Sequence, residues 1–344
     1  MSTIREVAAL AGVSPATVSR VINHDTTYKM TDETKEKIWR AVAELNYKAP
    51  SSNQNLKPMK GNARGGVSYR FGCVLNVQGG KYTDPYFLAV LSGFEEVILE
   101  SGHEMSFVHT NEEFDNKTIM YNAFDEPPTG LIIMNSLSED VFNFVKKKTP
   151  HIVGVDTKHA SIDNIAYDHY ACATLAVEHL RDQGYKRIGF IGGFKEDIPS
   201  CRRFKGYFAT LNQYGMEYNP KWVLPSNWNE EHVAQQIKDA YKRGELPDAY
   251  FVASDLMAIA ALRALYDLGV SVPDECAIIG LSNIEISRYS NPPLSTIALP
   301  IKDMGRVAAK VLLDRINGDT TPPEDNHFGA GSFKEKFNLN KAKK

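Results

Sequence analysis

The pattern of hydrophobic positions divides the chain into a short helical head and a long body in which strands and helices alternate. In the body, compact apolar runs typical of buried strands are separated by amphipathic stretches. The runs that predict strands span residues 71–75, 105–109, 130–134, 152–155, 187–191, 249–253 and 277–281. Two successive sets of this alternation predict an α/β fold with two parallel-sheet subdomains.

Glycine marks the ends of several predicted body helices. Four of them end at Gly102, Gly184, Gly215 and Gly269, and several run straight into a strand. Because glycine adopts the left-handed conformation without a Cβ penalty, this pattern predicts a helix cap before each turn into the sheet. Ligands of parallel sheets bind at the carboxyl ends of the strands, so the predicted site is the cleft between the subdomains.

The head predicts three short helices. Thr3 and Glu6 form a capping box at the start of the first helix, which a Gly-Val-Ser sequence then ends. A second helix follows, with Ser14 as its cap and Pro15 in the first helical position, and a third spans 33–45. Two short helices joined by a glycine-containing turn form a helix-turn-helix.

The second helix carries side chains that suit the major groove of DNA. Pro15 and Ala16 are small enough for the helix end to lie deep in the groove, and Arg20 can pair with a guanine edge through two hydrogen bonds. Phosphates can accept hydrogen bonds from Thr17, Ser19 and Asn23. On spacing alone, a three-helix packing module without DNA is the alternative.

Charge also separates the head from the body. Residues 1–60 hold nine basic and six acidic side chains, a net of +3, while the rest carries −6, for a total of −3. The segment 48–70 is polar and basic and contains glycine and proline, which predicts a linker. A basic head on an acidic body is typical of a nucleic-acid-binding module fused to a second function.

Composition excludes several classes of protein. Of 344 residues, 43% are hydrophobic and 24% are charged, as in globular rather than disordered proteins. No apolar run reaches the length of a membrane span, and the N-terminus lacks the layout of a signal peptide. The four scattered cysteines predict neither a disulfide framework nor a zinc site, so we expect a cytoplasmic protein without metal or cofactor.

One nearly continuous stretch of the head carries a family signature. It reads T-I-R-E-V-A-A-L-A-G-V-S-P-A-T-V-S-R-V-I-N at 3–23 and resumes over 31–47. This stretch resembles the N-terminal signature of the LacI/GalR family of bacterial repressors. The resemblance implies a DNA-binding domain over 1–47. The residues implied to contact bases are Pro15, Ala16 and Arg20, and those implied to contact phosphates are Thr3, Ser14, Thr17, Ser19, Asn23 and Tyr47.

The resemblance also implies a hinge within the linker at 48–70. In this family a short hinge helix forms on DNA, and paired leucines wedge the minor groove open. Leu56 lies at about the right distance after Tyr47 for that role. The P-N-x-x-A-R-x-L motif that is usual in the family is missing, however, and the linker is several residues longer than is normal there. An exposed leucine in a flexible tether is the alternative.

The same resemblance extends over the body. It is carried by V-E-H-L-R-D-Q-G-Y-K-R-I-G-F-I-G-G at 177–193, L-P-D-A-Y-F-V-A-S-D-L-M-A-I-A-A-L-R-A-L at 246–265 and P-P-L-S-T-I at 292–297. It implies a periplasmic-binding-protein-like core with three crossovers between the subdomains. The implied division is a core over 71–327, with subdomain 1 at about 71–167 and 298–327 and subdomain 2 at about 168–297, followed by a tail at 328–344.

A sugar presents rigid hydroxyl groups and a weakly apolar ring face, so its site needs forked polar side chains and an aromatic platform. The resemblance implies that the fork of Arg203 bridges two hydroxyls, that Trp228 stacks on the ligand, and that Tyr167 faces it across the cleft. Cys201 stands where the family often has an aspartate.

Five further residues complete the predicted effector site. Asp255 stands at a helix N-terminus, where capping the helix is the alternative to contacting the ligand. Tyr86 and Phe87 could line the opposite wall, with core packing as the alternative. Ser282 and Asn283 replace an Asp/Asn pair that the family often has at the end of a strand, and Ser282 carries no charge.

These features favour a sugar-responsive transcriptional repressor. The segment P-Y-F-L-A-V-L-S-G-F-E-E at 85–96 and the long linker most resemble the subgroup that controls galactoside use. A corepressor-responsive or phosphoprotein-responsive regulator, of the purine or catabolite type, is the alternative. A periplasmic sugar-binding protein would lack the helix-turn-helix. The chain shows no G-x-S-x-G, P-loop or H-E-x-x-H motif, so we do not expect an enzyme.

The predicted partners follow from operator geometry. A single helix-turn-helix reads few base pairs, so we expect a homodimer on a pseudo-palindromic double-stranded operator. The segment after Asn317 has no leucine heptads, and no tetramerising helix is expected. Operator DNA, a small sugar effector and a second copy of the chain are therefore the expected partners, without a membrane.

Overall fold

The computed structural model describes residues 3–22, 31, 34–35, 37–38, 41, 45, 68–77, 80–329 and 332–334. The chain divides into two units, residues 1–58 and 59–344. Asn23, Tyr47 and Leu56, which we predicted to contact DNA, lie outside the described residues. Among the helices that the structure describes, none is long and apolar enough to cross a bilayer.

The first helix of the head, α1, spans Ile4–Ala11. The Glu6 N–H donates to the Thr3 Oγ1 at 3.4 Å, and the Thr3 N–H donates to the Glu6 Oε2 at 2.6 Å. The predicted capping box is therefore present. Gly12 follows the helix with φ at 66°, a left-handed conformation that turns the chain towards the next helix.

The second helix of the head, α2, spans Pro15–Ile22. Ser14 caps it, because the Thr17 N–H donates to the Ser14 Oγ at 3.1 Å. Both helices of the predicted helix-turn-helix are thus confirmed. The side chains that form the core of the head are at most 7% exposed, and they are Val7, Ala8, Val18, Val21, Ile38 and Ala41.

The first sheet of the body is parallel throughout. Its strands are β1 at Arg70–Leu75, β2 at Glu104–Thr110, β3 at Gly130–Met134, β4 at His151–Val155 and β5 at Asp163–Tyr167, with β11 at Asp325–Phe328. Their order across the sheet is β11-β5-β4-β3-β1-β2. We call this sheet and the helices that pack on it the first subdomain.

The second sheet holds β6 at Ile188–Ile191, β7 at Val223–Leu224, β8 at Ala249–Val252, β9 at Ala277–Ser282, β10 at Ser295–Ala298 and β12 at Ser332–Lys334. Their order is β12-β10-β9-β8-β6-β7, and β12 runs antiparallel to β10 whereas the other pairs are parallel. This sheet belongs to the second subdomain. Two parallel-sheet subdomains confirm the predicted fold class.

Helices connect the strands on both sheets. They are α3 at Pro85–Glu100, α4 at Lys117–Ala123, α5 at Glu139–Lys148, α6 at His169–Asp182, α7 at Arg202–Gln213, α8 at Glu230–Lys242, α9 at Asp255–Asp267 and α10 at Ile301–Ile316. The four glycines predicted to end helices all have left-handed φ, between 61° and 90°. That prediction is confirmed.

The chain passes between the sheets after β5, after β10 and after β11. The second passage leads into α10, which packs on α3 and β4 of the first subdomain. We expected residues 328–344 to form a tail beyond the core, but Phe328 ends β11 and residues 332–334 pair with β10. The predicted boundary is thus too early, because these two strands join by backbone pairing and lack an apolar run.

Helices α3 and α10 approach closely because glycines stand at their crossing. A Cβ added at Gly93 would overlap the carbonyl oxygen of Lys302, and one added at Gly305 would overlap that of Val90. Around this contact, Glu96 pairs with the Lys302 Nζ at 2.7 Å and with the Arg306 Nη2 at 2.9 Å. The two helices therefore form a rigid layer on one face of the first sheet.

We predict that Gly305→Ala lowers the free energy of unfolding of the body by ~2 kcal/mol, because a rigid backbone oxygen blocks the added methyl group. Gly329→Ala is the matched control, since no atom lies within 4 Å of a Cβ at Gly329. Guanidinium unfolding of both variants measures the effect. Equal transition midpoints for the two variants would contradict the close helix crossing.

Candidate effector-binding site

Non-glycine residues with left-handed backbone gather at the carboxyl edges of both sheets. In the described chain they have φ between 49° and 130°, and each lies at the end of a strand or within four residues after it. Such strain costs about 1–3 kcal/mol per residue and persists where surrounding contacts hold it, often at functional sites. The residues are Asn135, Asp156, Asn227, Trp228, Ser282 and Asn283.

The guanidinium of Arg203 joins aromatic side chains from the two subdomains. Its Nε donates to the Tyr167 hydroxyl at 3.1 Å, and its Nη2 contacts the same oxygen. The guanidinium carbon lies 5.6 Å from the ring centroid of Tyr167 and 5.3 Å from that of Trp228, within cation–π range. Because Tyr167 ends β5 and Arg203 lies in the first turn of α7, this contact bridges the two sheets.

A buried carboxylate that the sequence analysis missed lies close to this contact. Asp156 follows β4, and its Oδ2 accepts a hydrogen bond from the Tyr86 hydroxyl at 2.6 Å. Its Oδ1 lies 3.3 Å from the Nε2 of His169, and the Asp156 side chain is 8% exposed. Asp156 could have been predicted as a site residue, because it directly follows the predicted strand 152–155 and that edge of a parallel sheet lines the ligand cleft.

The Asp156 carboxylate and the Arg203 guanidinium are opposite charges that stabilise each other in this region. Burial alone would raise the pKa of the Asp156 carboxyl, but His169, the Tyr86 hydrogen bond and the Arg203 charge hold it below its usual range. Burial lowers the pKa of His169, and the Arg203 charge lowers it further, so the imidazole is neutral at pH 7. Burial disfavours the charged form of Arg203, yet Tyr167 and Asp156 raise its pKa.

Aromatic rings from the first subdomain form one wall of the site. The rings of Tyr86 and Phe87 lie 5.0 Å apart at 83°, and those of Tyr86 and Tyr167 lie 6.5 Å apart at 69°. Phe87 is buried in the main hydrophobic core, which agrees with the alternative that its role is core packing. Tyr86 points its hydroxyl at Asp156, and that contact brings it into the site.

Asp255 uses both carboxylate oxygens inside the second subdomain. Its Oδ2 accepts the Ile284 N–H at 2.9 Å, and its Oδ1 accepts the Thr296 hydroxyl at 2.6 Å, with the residue 1% exposed. The alternative, that Asp255 caps the helix, does not hold for the N-cap position, because Ser254 occupies it at the start of α9. Asp255 instead joins the start of α9 to Ile284, shortly after β9, and to Thr296 within β10.

Ser282 and Asn283 stand at the carboxyl end of β9, with φ at 130° and 60°. The Ser282 carbonyl accepts the Leu299 N–H at 3.3 Å, at the point where the chain leaves the second sheet. Ser282 is buried and Asn283 is partly exposed. Contacts of these two residues with an effector stay predictions.

The head presents a separate candidate surface on α2. Pro15, Ala16 and Arg20 are exposed, while Val18 and Val21 of the same helix are buried in the core of the head. Ser14 and Thr17 bind each other through their hydroxyls at 2.8 Å, which makes them part of the helix cap. Thr3 likewise serves the capping box of α1, and Ser19 is partly buried. Their contacts with DNA stay predictions.

No group of three or more His, Cys, Asp or Glu side chains suited to a metal ion occurs among the described residues. The four cysteines are free thiols, and three of them are buried. The polar groups of the candidate site are therefore a guanidinium, a carboxylate, a neutral imidazole and phenols, which suits hydrogen bonding to an organic ligand.

Comparisons with known proteins cover both units. The family profile described as bacterial regulatory proteins, lacI family, matches residues 3–50, and that of a periplasmic binding protein-like domain matches residues 177–329. The HTH-type transcriptional repressor MelR of Bacillus subtilis (strain 168) is 30% identical over 336 residues, which cover 94% of this chain and 93% of MelR.

Two further similar proteins span almost the whole chain. The HTH-type transcriptional repressor PurR of Aliivibrio salmonicida (strain LFI1238) is 31% identical over 325 residues, 92% of each protein. The solved structure of the transcriptional regulator CelR–cellobiose complex is 25% identical with a TM-score of 0.68, and covers 96% of this chain and 97% of that chain.

We predict that Tyr86→Phe lowers the free energy of unfolding at pH 7 by about 1–3 kcal/mol, because it removes the donor to a buried, charged Asp156 oxygen. Tyr82→Phe is the matched control, since Tyr82 is 65% exposed, and we expect a change within about 0.5 kcal/mol. Chemical unfolding compares them. Equal stability of the two variants would show that the Asp156 carboxylate does not depend on Tyr86.

Proposed function

The chain belongs to the lacI family of bacterial regulatory proteins, and from this premise we propose that it represses transcription in the cytoplasm and releases its operator on binding a neutral, galactoside-type sugar. Family membership confirms the resemblance recognised in the head and body. The relatives are transcriptional repressors, so the chain is a regulator rather than an enzyme.

The exposed face of α2 supports the DNA-binding part of the proposal. Pro15 and Ala16 lie at the start of this helix and Arg20 lies one turn further on, all exposed, while the opposite face packs in the head. A recognition helix needs this division, since its N-terminal residues reach the base edges of the major groove. Two copies of the chain would read the two halves of a pseudo-palindromic operator.

We expect Arg20→Ala to abolish specific operator binding while leaving the body folded. One bidentate guanine contact contributes about 1–3 kcal/mol of discrimination, and a dimer loses it twice. Gel-shift titration on the promoter of the chain's own gene, with a scrambled duplex as competitor, measures the loss. A variant that keeps the specific affinity of the parent would exclude Arg20 from base recognition.

The observation that carries the effector part is the position of Arg203 between Tyr167 and Trp228. A forked donor against aromatic faces suits a sugar, whose hydroxyls accept hydrogen bonds while its ring stacks. Asp156 balances the positive charge, so a phosphorylated or other anionic ligand would meet a buried carboxylate. CelR, one of the structural neighbours, is described in complex with cellobiose.

The second candidate is a regulator of the purine-repressor type, in which the ligand acts as a corepressor. The PurR relative, at 31% identity, is as similar to this chain as the MelR relative, at 30%. A thermal-shift panel of galactose, lactose, glucose, ribose, hypoxanthine and guanine distinguishes them, because a ligand that binds the native state raises its melting temperature. Stabilisation by the purines alone would replace the sugar proposal.

We predict that Arg203→Ala binds its operator like the parent but no longer releases it when the stabilising sugar is added. Unpaired sugar hydroxyls in a closed cleft cost about 1–3 kcal/mol, which is comparable to a typical allosteric coupling energy. Calorimetry and gel shifts separate binding from release. Arg202→Ala is the matched control, because Arg202 is the exposed neighbour in the same helical turn.

The two variants together identify the effector site. We expect Arg202→Ala to keep both sugar affinity and operator release, since its side chain faces solvent. If Arg203→Ala binds the sugar as tightly as Arg202→Ala does, the effector site lies elsewhere in the body and Arg203 is a structural residue.

A further inference from the structure

The loop between β7 and α8 holds Trp228 in an unusual conformation. Two consecutive residues, Asn227 and Trp228, have left-handed φ, at 49° and 53°. Asparagine tolerates this region, but a side chain as large as tryptophan is disfavoured there. Such a conformation persists only when neighbouring contacts fix it. The contacts that hold the Trp228 backbone therefore determine where its ring lies.

Asn227 connects this loop to two other segments. Its N–H donates to the Gly193 carbonyl at 2.9 Å, and its Oδ1 accepts the Lys195 N–H at 3.3 Å. Because a backbone N–H can only donate, the amide oxygen must face Lys195 and the amide nitrogen must face the other way. There the Nδ2 lies 3.4 Å from the Nε2 of His232, in the first turn of α8.

Ser226, two residues before Trp228, also fixes the Trp228 backbone. The Trp228 N–H donates to the Ser226 Oγ at 3.1 Å, and Ser226 is completely buried. Its hydroxyl also lies 3.5 Å from the Gly193 carbonyl, which Asn227 already binds. The residues on the N-terminal side of Trp228 thus converge on one carbonyl group.

The segment that Asn227 binds leads into the helix that carries Arg203. Gly193 and Lys195 follow β6, and the chain runs from them into α7, whose first turn contains Arg203. The Trp228 ring lies 5.3 Å from the Arg203 guanidinium carbon. Asn227 therefore connects the loop that carries Trp228 to the segment that precedes Arg203.

We propose that Asn227 is a positioning residue, which fixes Trp228 against Arg203 before any effector binds. The stacking role of Trp228 rests on the proposed function, whereas the fixed ring position does not. Removing the Asn227 side chain should release the Trp228 ring and leave the fold intact. Asn227→Gly makes this change cleanly, because glycine adopts the left-handed conformation without a Cβ penalty.

The first test follows the Trp228 ring directly in the full chain labelled with 5-fluorotryptophan. The sequence has three tryptophans, and loss of one resonance in Trp228→Phe assigns its ¹⁹F signal. In Asn227→Gly we expect this signal to move towards that of free fluorotryptophan by more than its linewidth. Asn227→Asp should restore the parent position, because its carboxylate still accepts the Lys195 N–H.

Asn135→Gly is the matched control. Asn135 is also a left-handed asparagine directly after a strand, and its side chain donates to the Asn76 carbonyl at 3.1 Å, but it belongs to the first sheet. We expect no movement of the Trp228 signal in this variant. An unmoved signal in Asn227→Gly, or an equal movement in Asn135→Gly, would overturn the positioning role.

The second test measures binding of methyl β-D-galactoside by calorimetry. We expect Asn227→Gly to weaken binding about tenfold, and to cause no further loss in a Trp228→Ala background, because its effect passes through Trp228. Additive losses would overturn the inference. If the parent does not bind this sugar, the galactoside proposal fails, while the ¹⁹F experiment still decides whether Asn227 positions the ring.

Discussion

The contact of one partly buried guanidinium with side chains of both sheets is the interaction on which the arrangement of the cleft depends. Arg203 keeps its charge because Tyr167, Asp156 and the Trp228 ring surround it. Tyr167 and Asp156 come from the first sheet, whereas Arg203 comes from the second, so neither subdomain satisfies this charge alone. A buried ion that loses its partners is strongly destabilising, and the relative position of the two sheets is therefore coupled to what contacts Arg203.

Rigid packing within each subdomain means that this coupling acts on whole subdomains. In the first subdomain, Gly93 and Gly305 let α3 and α10 approach too closely for any added methyl group. In the second subdomain, Asp255 joins α9 to the segment after β9 and to β10 through two buried hydrogen bonds. Because packed layers of this kind move as units, we expect a ligand that replaces contacts at Arg203 to change the fit between the subdomains rather than to deform either one.

Most of the fold could be predicted from the sequence because its central strands are continuous apolar runs. The strands that escaped prediction in the described chain are β5, β7, β10, β11 and β12. Strand β5 begins with the buried polar residues Asp163 and Asn164, and Asp163 is paired with Arg315 at 2.7 Å. Strands β7 and β12 are only two and three residues long. In the site, the position of Asp255 at a helix N-terminus was predicted from the sequence. Its hydrogen bonds to Ile284 and Thr296 were not, because they depend on tertiary neighbours that no local pattern reveals.

The balance of charge at the site bears on the kind of ligand that the cleft accepts. The Asp156 carboxylate offsets part of the positive charge of Arg203. A neutral polyol can replace the Tyr167 hydroxyl at the guanidinium and leave that balance unchanged, because its hydroxyls both donate and accept. An anion would gain from Arg203 but would be repelled by the Asp156 carboxylate, whose side chain is only 8% exposed and therefore weakly screened by solvent. In the proposed effector site, we therefore expect Asp156 to be the residue that disfavours anionic ligands relative to uncharged ones.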